Sequence, residues 1–177
     1  MKIVTIFIFF MVILVSCENS EENISSFIEL DNLAIEELKE SDIIYTENGY
    51  LKVKVRSKKM ERFNEIEERI ELSGGVHFDF YKLDSTDSKS VLICDNAIIN
   101  NSTNIMIANN NVVLRGDNKE LKSEKLIWDK QKDLVYTESE ITIQTEDEII
   151  SGVGFNSNSD FTQYEIKKAK GIFSIEK

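Results

Sequence analysis

The sequence predicts an antiparallel all-β domain, on three observations. From Ile43 onward, short segments alternate apolar and polar residues, the pattern of strands with one buried face. Clusters of Asn, Asp, Ser and Gly separate them, leaving gaps too short for the helical crossovers that parallel strands require. Three segments also repeat one form: Leu92-Ile93-Cys94-Asp95-Asn96-Ala97, Leu121-Lys122-Ser123-Glu124-Lys125-Leu126 and Ile149-Ile150-Ser151-Gly152-Val153-Gly154. Their small residues Cys94, Ser123 and Ser151 lie 29 and 28 residues apart. Stacked hairpins of this kind make a twisted, folded sheet with an apolar inside and unpaired strand edges at its two ends.

The amino terminus reads as an address. Lys2 precedes the apolar run Ile3 to Val15, whose 13 residues fall short of a bilayer-spanning helix of about 20. The ending Leu14-Val15-Ser16-Cys17 resembles the bacterial lipobox, which makes residues 1–16 a signal peptide and Cys17 the lipid-modified first residue of the mature protein. An uncleaved anchor is the plainer alternative. Acylation of Cys17 leaves Cys94 without a disulfide partner, as a small buried hydrophobe. Glu18 to Asn23 is a polar, acidic tether, and Ile24 to Leu38 has the spacing of one helix before Ser41. The tether therefore occupies residues 17–42 and the β-domain residues 43–177.

Within the domain the strands follow in order. Leu51 to Val55 comes first, then Val76 to Phe80, where Val76, Phe78 and Phe80 share one face and His77 and Asp79 the other. Ser90 to Ile99, Ile105 to Ala108, Asn111 to Arg115 and Glu120 to Trp128 continue the pattern. Leu134 to Thr137, Ile141 to Thr145, Glu148 to Phe155 and Phe161 to Ile166 complete it. Asn109-Asn110-Asn111 reads as a turn or bulge between strands.

Composition narrows the function. Lys+Arg 21 against Asp+Glu 32 gives a net charge of −11, which argues against nucleic acid as a partner, because phosphate binding needs a concentrated positive surface. Removing residues 1–16 takes away Lys2, so attachment to an anionic membrane rests on the acyl chains at Cys17. The single His and the two Cys make zinc or Cys/His catalysis improbable, and no metal site or cofactor is expected.

Other motifs have plain readings. The acidic cluster Glu61, Glu65, Glu67, Glu68 and Glu71 lacks the Asp/Gly spacing of a calcium loop and reads as solvated. Gly152 and Gly154 lack the third glycine and helix start of a nucleotide loop, and read as a bulge or a close strand approach. His77 reads as a surface histidine. Glu124 and Asp129, the pair nearest to a glycosidase's two carboxylates, sit at repeat positions that suggest turns.

Leu121-Lys122-Ser123-Glu124-Lys125-Leu126-Ile127-Trp128-Asp129, continuing through Val135-Tyr136-Thr137 and Ile141-Thr142-Ile143 to Ile150-Ser151-Gly152-Val153-Gly154-Phe155, resembles the LptC family of the lipopolysaccharide transport system, especially its lipoprotein-like Bacteroidetes-type members. The front, Tyr45 to Leu51 and Lys59 to Phe63, and the ending Phe161 to Gly171 fit the same pattern, so the resemblance covers about Ile43 to Phe173. An apparent lipobox stands where better-known members have a transmembrane helix, so a transporter-regulating helix is not carried over.

The resemblance implies a folded-over antiparallel β-jellyroll with a V-shaped apolar interior, in which lipopolysaccharide acyl chains travel. It implies two partners: an inner-membrane ABC transporter of the LptB/LptF/LptG kind, and a periplasmic LptA-like jellyroll joined by edge-strand addition. The residue pattern supplies a compatible trough from Val76, Phe78, Phe80, Ile107, Val112 and Leu114, continued by Leu121, Leu126, Trp128, Ile141, Ile143 and Phe155. Such residues alone read as ordinary core, but in an open jellyroll the core is the lipid path. Each buried CH₂ contributes about 0.8 kcal/mol without directional demand, so a chain is sheltered without being fixed. By the resemblance, Leu51, Val53 and Val55 dock toward the transporter, and Phe161, Tyr164 and Ile166 toward the bridge.

The leading expectation is a non-catalytic periplasmic lipid carrier, lipid-anchored most simply to the inner membrane. The alternative is a surface-exposed adhesion or glycan-binding lipoprotein using outward aromatics such as Tyr81. A carbohydrate-active enzyme comes third, for want of a convincing carboxylate pair.

Overall fold

The computed structural model describes residue 34 and residues 36–63, 68–82 and 88–174. Among these, all regular structure is strand. The strands are β1 (Glu36–Glu47), β2 (Tyr50–Phe63), β3 (Arg69–Tyr81), β4 (Ser88–Cys94), β5 (Asn96–Asn100), β6 (Ile105–Gly116), β7 (Lys119–Asp129), β8 (Leu134–Thr145), β9 (Glu148–Asn158) and β10 (Tyr164–Ser174). They form one antiparallel sheet in the order β1-β2-β3-β4-β6-β7-β8-β9-β10. β5 fills out the β4 position, pairing with the first half of β3 and of β6.

Almost every strand is interrupted at the same level. β1 has Glu40 at φ 56°, and the β2–β3 ladder shifts after Ser57, opposite Gly74 and Gly75 at φ 80° and 94°. β4 and β5 are separated at Asp95. β6 bulges at Asn110 and Asn111, the β7–β8 ladder shifts beyond Ser123 and the β8–β9 ladder beyond Thr137, β9 carries Gly154 at φ 78°, and β10 shifts at Ala169. Left-handed backbone is easy for Gly and tolerable for Asn, which is why these residues gather here. The resulting line of bulges bends the strands into two arms that face each other, since bulges kink a strand and increase its twist.

The inner faces are apolar across most of the sheet. In the first arm, Ile43, Val55, Phe78, Leu92, Leu114, Leu121, Ile143 and Ile150 stand directly opposite one another along eight strands. The second arm carries Met60, Leu72, Ala97, Ala108 and Leu126 in one row and Ile70, Ile99, Met106, Trp128 and Val135 in the next. Nearly all of these side chains belong to a single buried cluster or pack against it, each fully buried Val, Leu, Ile, Met or Phe contributing about 1.5–3 kcal/mol.

Several expectations need correction. The sheet starts at Glu36, so residues 36–38 of the expected helix are strand, with Leu38 opposite Met60. The second half of β2 needs a hydrogen-bonded neighbour, and that requirement overrides the helical spacing. The remainder of that helix and Cys17 lie outside the described residues. Ile105 to Ala108 and Asn111 to Arg115 are one bent strand, Ser90 to Ile99 is broken at Asp95, and Phe161 precedes β10. In the repeat, the partner of Ser123 across Ile141 is Gly152, not Ser151. The repeated small residue therefore marks the bend of each strand.

Gly152 is required for close approach. A Cβ there would lie 2.6 Å from Ile166 Cγ2 and 2.8 Å from the Lys168 carbonyl oxygen, both on β10. Gly152→Ala is expected to lift the edge strand, seen as faster amide hydrogen exchange across residues 164–169 with the β3–β6 amides unchanged. Leu114, fully buried at the centre of the first-arm row, is expected to cost about 2–5 kcal/mol as Leu114→Ala, read by urea unfolding.

Candidate functional site: a clasped apolar interior between two sheet edges

Between the arms, Phe78, Phe80, Leu92, Met106, Ala108, Leu126, Trp128 and Val135 surround a space of about 10 Å³, enough for about one water. The aromatic side chains meet across the fold. Phe80 of the first arm and Trp128 of the second pack edge to face with ring centres 5.1 Å apart, and Tyr45 meets Trp128 at 6.1 Å.

The mouth of the V is held by a few non-covalent contacts between strand tips. Lys52 Nζ lies 3.2 Å from Asp133 Oδ1, and Ser159 Oγ donates to the same Asp133 oxygen at 2.6 Å. Ser90 Oγ donates to the Ser159 carbonyl at 2.5 Å, joining residues 69 apart in sequence. Lys130 is buried with its ammonium 5.3 Å from the centre of the Tyr45 ring, and burial lowers its pKa. At the other flank Lys119 sits over the rings of Phe161 and Tyr164, and Phe161 packs against Gly116.

β1 and β10 end the sheet, each paired on one side only. Their charges differ. β1 carries Glu36, Glu37, Glu40, Asp42 and Glu47 against Lys39, whereas β10 carries Lys167, Lys168 and Lys170 against Glu165. Inward neighbours answer these charges: Arg62 pairs with Glu36 at 2.6 Å and Lys54 with Asp42 at 3.1 Å, while Lys167 and Lys170 pair with Glu138 and Glu140. Charged side chains along an edge deter indiscriminate strand pairing.

Residues 6–173 match the family described as lipopolysaccharide-assembly, LptC-related. The chain belongs to the LptC family. It is thereby assigned to lipopolysaccharide transport, as a transport component of a family associated with the periplasmic side of the inner membrane. None of the curated proteins matches the sequence.

In this LptC-family domain, eleven of the twelve expected trough residues point inward and are buried: Val76, Phe78, Phe80, Val112, Leu114, Leu121, Leu126, Trp128, Ile141, Ile143 and Phe155. Ile107 is the exception. It stands on the outer face opposite Ile98 and Ile127, and Met106 and Ala108 face inward in its place. Both faces of this half of β6 are apolar, so alternation alone does not select the inner one. Of the expected docking residues, Val53 and Val55 are core side chains on β2, which has neighbours on both sides, so the free edge belongs to β1. Phe161 is likewise core, while Tyr164 and Ile166 lie on the edge strand β10.

The polar motifs have structural work. His77 Nε2 lies 3.1 Å from Asp79 Oδ1, and Asp79 also accepts from Arg56 at 2.8 Å. Glu61, Glu68 and Glu71 pair with Lys59, Arg62 and Arg69; Glu65 and Glu67 lie outside the described residues. Cys94 is buried, its thiol donates to the Asn96 carbonyl at 3.2 Å, and burial pushes its pKa up to about 12. The clasp residues Ser90, Lys130, Asp133 and Ser159 went unread because a tip-to-tip contact leaves no local sequence signal.

Asp129 shapes the turn that carries Lys130 and Asp133. Its Oδ1 accepts from the backbone N–H of Gln131 and Lys132, both at 3.1 Å, and its Oδ2 from Lys132 Nζ at 2.8 Å. The hydrogen bond from the Lys132 ammonium, foremost, holds this carboxyl below the usual carboxylate range. Its contribution is therefore fully present above the unfolded value of about 3.9 and disappears as pH falls through the lower folded value. Asp129→Asn is expected to be less stable than the parent near neutral pH, with the difference closing below about pH 4, measured by urea unfolding at each pH.

Proposed function

We propose that this LptC-family chain is a non-catalytic lipid relay, anchored through an acylated Cys17 on the periplasmic face of the inner membrane. It takes lipopolysaccharide acyl chains from the LptB/LptF/LptG-like transporter and passes them to an LptA-like periplasmic jellyroll on the way to the outer membrane. The observation that carries this reading is the unbroken apolar row from Ile43 to Ile150, crossing the sheet at right angles to its strands. A lining of that kind stabilises a hydrocarbon chain by about 0.8 kcal/mol per buried CH₂ at any position along it. Sliding along this row therefore meets no specific contact that must break.

The small interior space means that the arms part to admit a chain, and the clasp is where they part. Its contacts are hydrogen bonds and ion pairs of modest net worth, each about 0.5–1.5 kcal/mol. A lipid of a dozen buried methylenes offsets several of them. The acidic β1 edge faces the transporter and the basic β10 edge faces the bridge, each extended by main-chain pairing.

Photoreactive residues at Leu114, which faces inward, and at the adjacent outward Arg115 test this in cells. A lipopolysaccharide adduct at 114 alone, dependent on ATP, is expected. Equal adducts at both sites, or none, would overturn the relay and favour a binding lipoprotein with a closed core.

A further inference from the structure

We infer that Trp128 is a polar recognition point inside the apolar trough, where its indole N–H donates to a neutral oxygen carried by the acyl chain. This rests on the relay reading and adds a ligand preference to it. Trp128 is 3 % exposed, and its Nε1 is buried with no hydrogen-bond partner among the described residues. Its row neighbours are Met106 and Val135, and its ring contacts are Phe80 and Tyr45. The space that it borders with Phe78, Leu92 and Leu126 has an apolar lining.

An unpaired buried donor is destabilising, whereas an aromatic hydrocarbon at this position would fill the core with no such penalty. Indole is a donor only, so its partner must bring the acceptor. A carboxylate or phosphate does not suit an apolar, water-poor space, because desolvating an ion is far more costly than desolvating a neutral oxygen. The fitting partner is an ester carbonyl or a hydroxyl on an otherwise aliphatic chain. The place also fits. Trp128 touches Tyr45, and Tyr45 touches clasp residue Lys130. An oxygen near the head of the chain therefore reaches the indole from the mouth, while the hydrocarbon continues along the inner row.

This is the protein's single tryptophan, so the indole N–H gives one resonance in a ¹⁵N–¹H spectrum. The full-length protein is titrated with pentadecane, methyl tetradecanoate and methyl 3-hydroxytetradecanoate, and affinities are read from displacement of a bound apolar dye. The expected result is a downfield indole proton with the two oxygen-bearing chains, and binding roughly fivefold tighter than the alkane. A gain already present with the plain ester assigns the carbonyl, and one that needs the 3-hydroxyl assigns the hydroxyl. Trp128→Phe is expected to remove the preference and keep alkane binding. Equal affinities with an unmoved indole resonance, or an indole already bonded to a resident water in the free protein, would overturn the role of Trp128 and leave the relay standing. Failure of all three probes to displace the dye would overturn the relay as well.

Discussion

A sheet can be folded in two and keep both halves of its inner face apolar only if its strands change direction at the same level. Side chains alternate, so a bend that added one residue to a single strand would send the rest of that strand's apolar set outward. The LptC-family domain meets this constraint with a line of irregularities, solved differently strand by strand. There is a glycine pair in β3, an asparagine pair in β6, a complete break between β4 and β5, and a lone glycine in β9. Small residues flank the line. Ser41 and Ser57 hydrogen-bond from β1 to β2 beside it at 2.7 Å, and Gly152 lets β10 close over β9. Without this line the rows of the two arms would not face each other, and there would be neither interior nor mouth.

The fold separates two kinds of recognition. Apart from the indole N–H of Trp128, the interior deals in non-directional contact, which suits a cargo that must leave as readily as it enters. The edges deal in main-chain hydrogen bonds and charge, which are directional and suit a partner that must stay. Because the inner row runs perpendicular to the strands, its path leads from one edge strand toward the other, from Ile43 on β1 to Ile150 on β9, beside β10. Cargo and partner thus share an axis. A strand added at either edge lengthens the sheet along the same line as the apolar row.

What was legible in the sequence follows from which interactions are local. Alternation revealed Val76, Phe78 and Phe80 because their intervening residues, His77 and Asp79, are polar. It misled at Ile107, where the outer face is apolar too. The repeat of small residues was visible as a spacing, but its meaning needed the register: Cys94, Ser123 and Gly152 are positions of bending. β1 was hidden because half of it is charged and its pattern also fits a helix, so only pairing with β2 decides its state. The clasp had no sequence signature, as Ser90 and Ser159 meet through tertiary folding alone. Trp128 was legible as an inward aromatic, but not as an unpaired donor, which is a property of its surroundings.

Cys94 carries a further consequence. A thiol whose pKa is raised to about 12 is almost wholly protonated at neutral pH, and the thiolate is the reactive form. Its sulfur is engaged at the bend, between the two arms, where oxidants and other thiols have little access. In the folded domain this thiol is therefore slow to enter disulfide exchange, whatever the redox poise of its compartment.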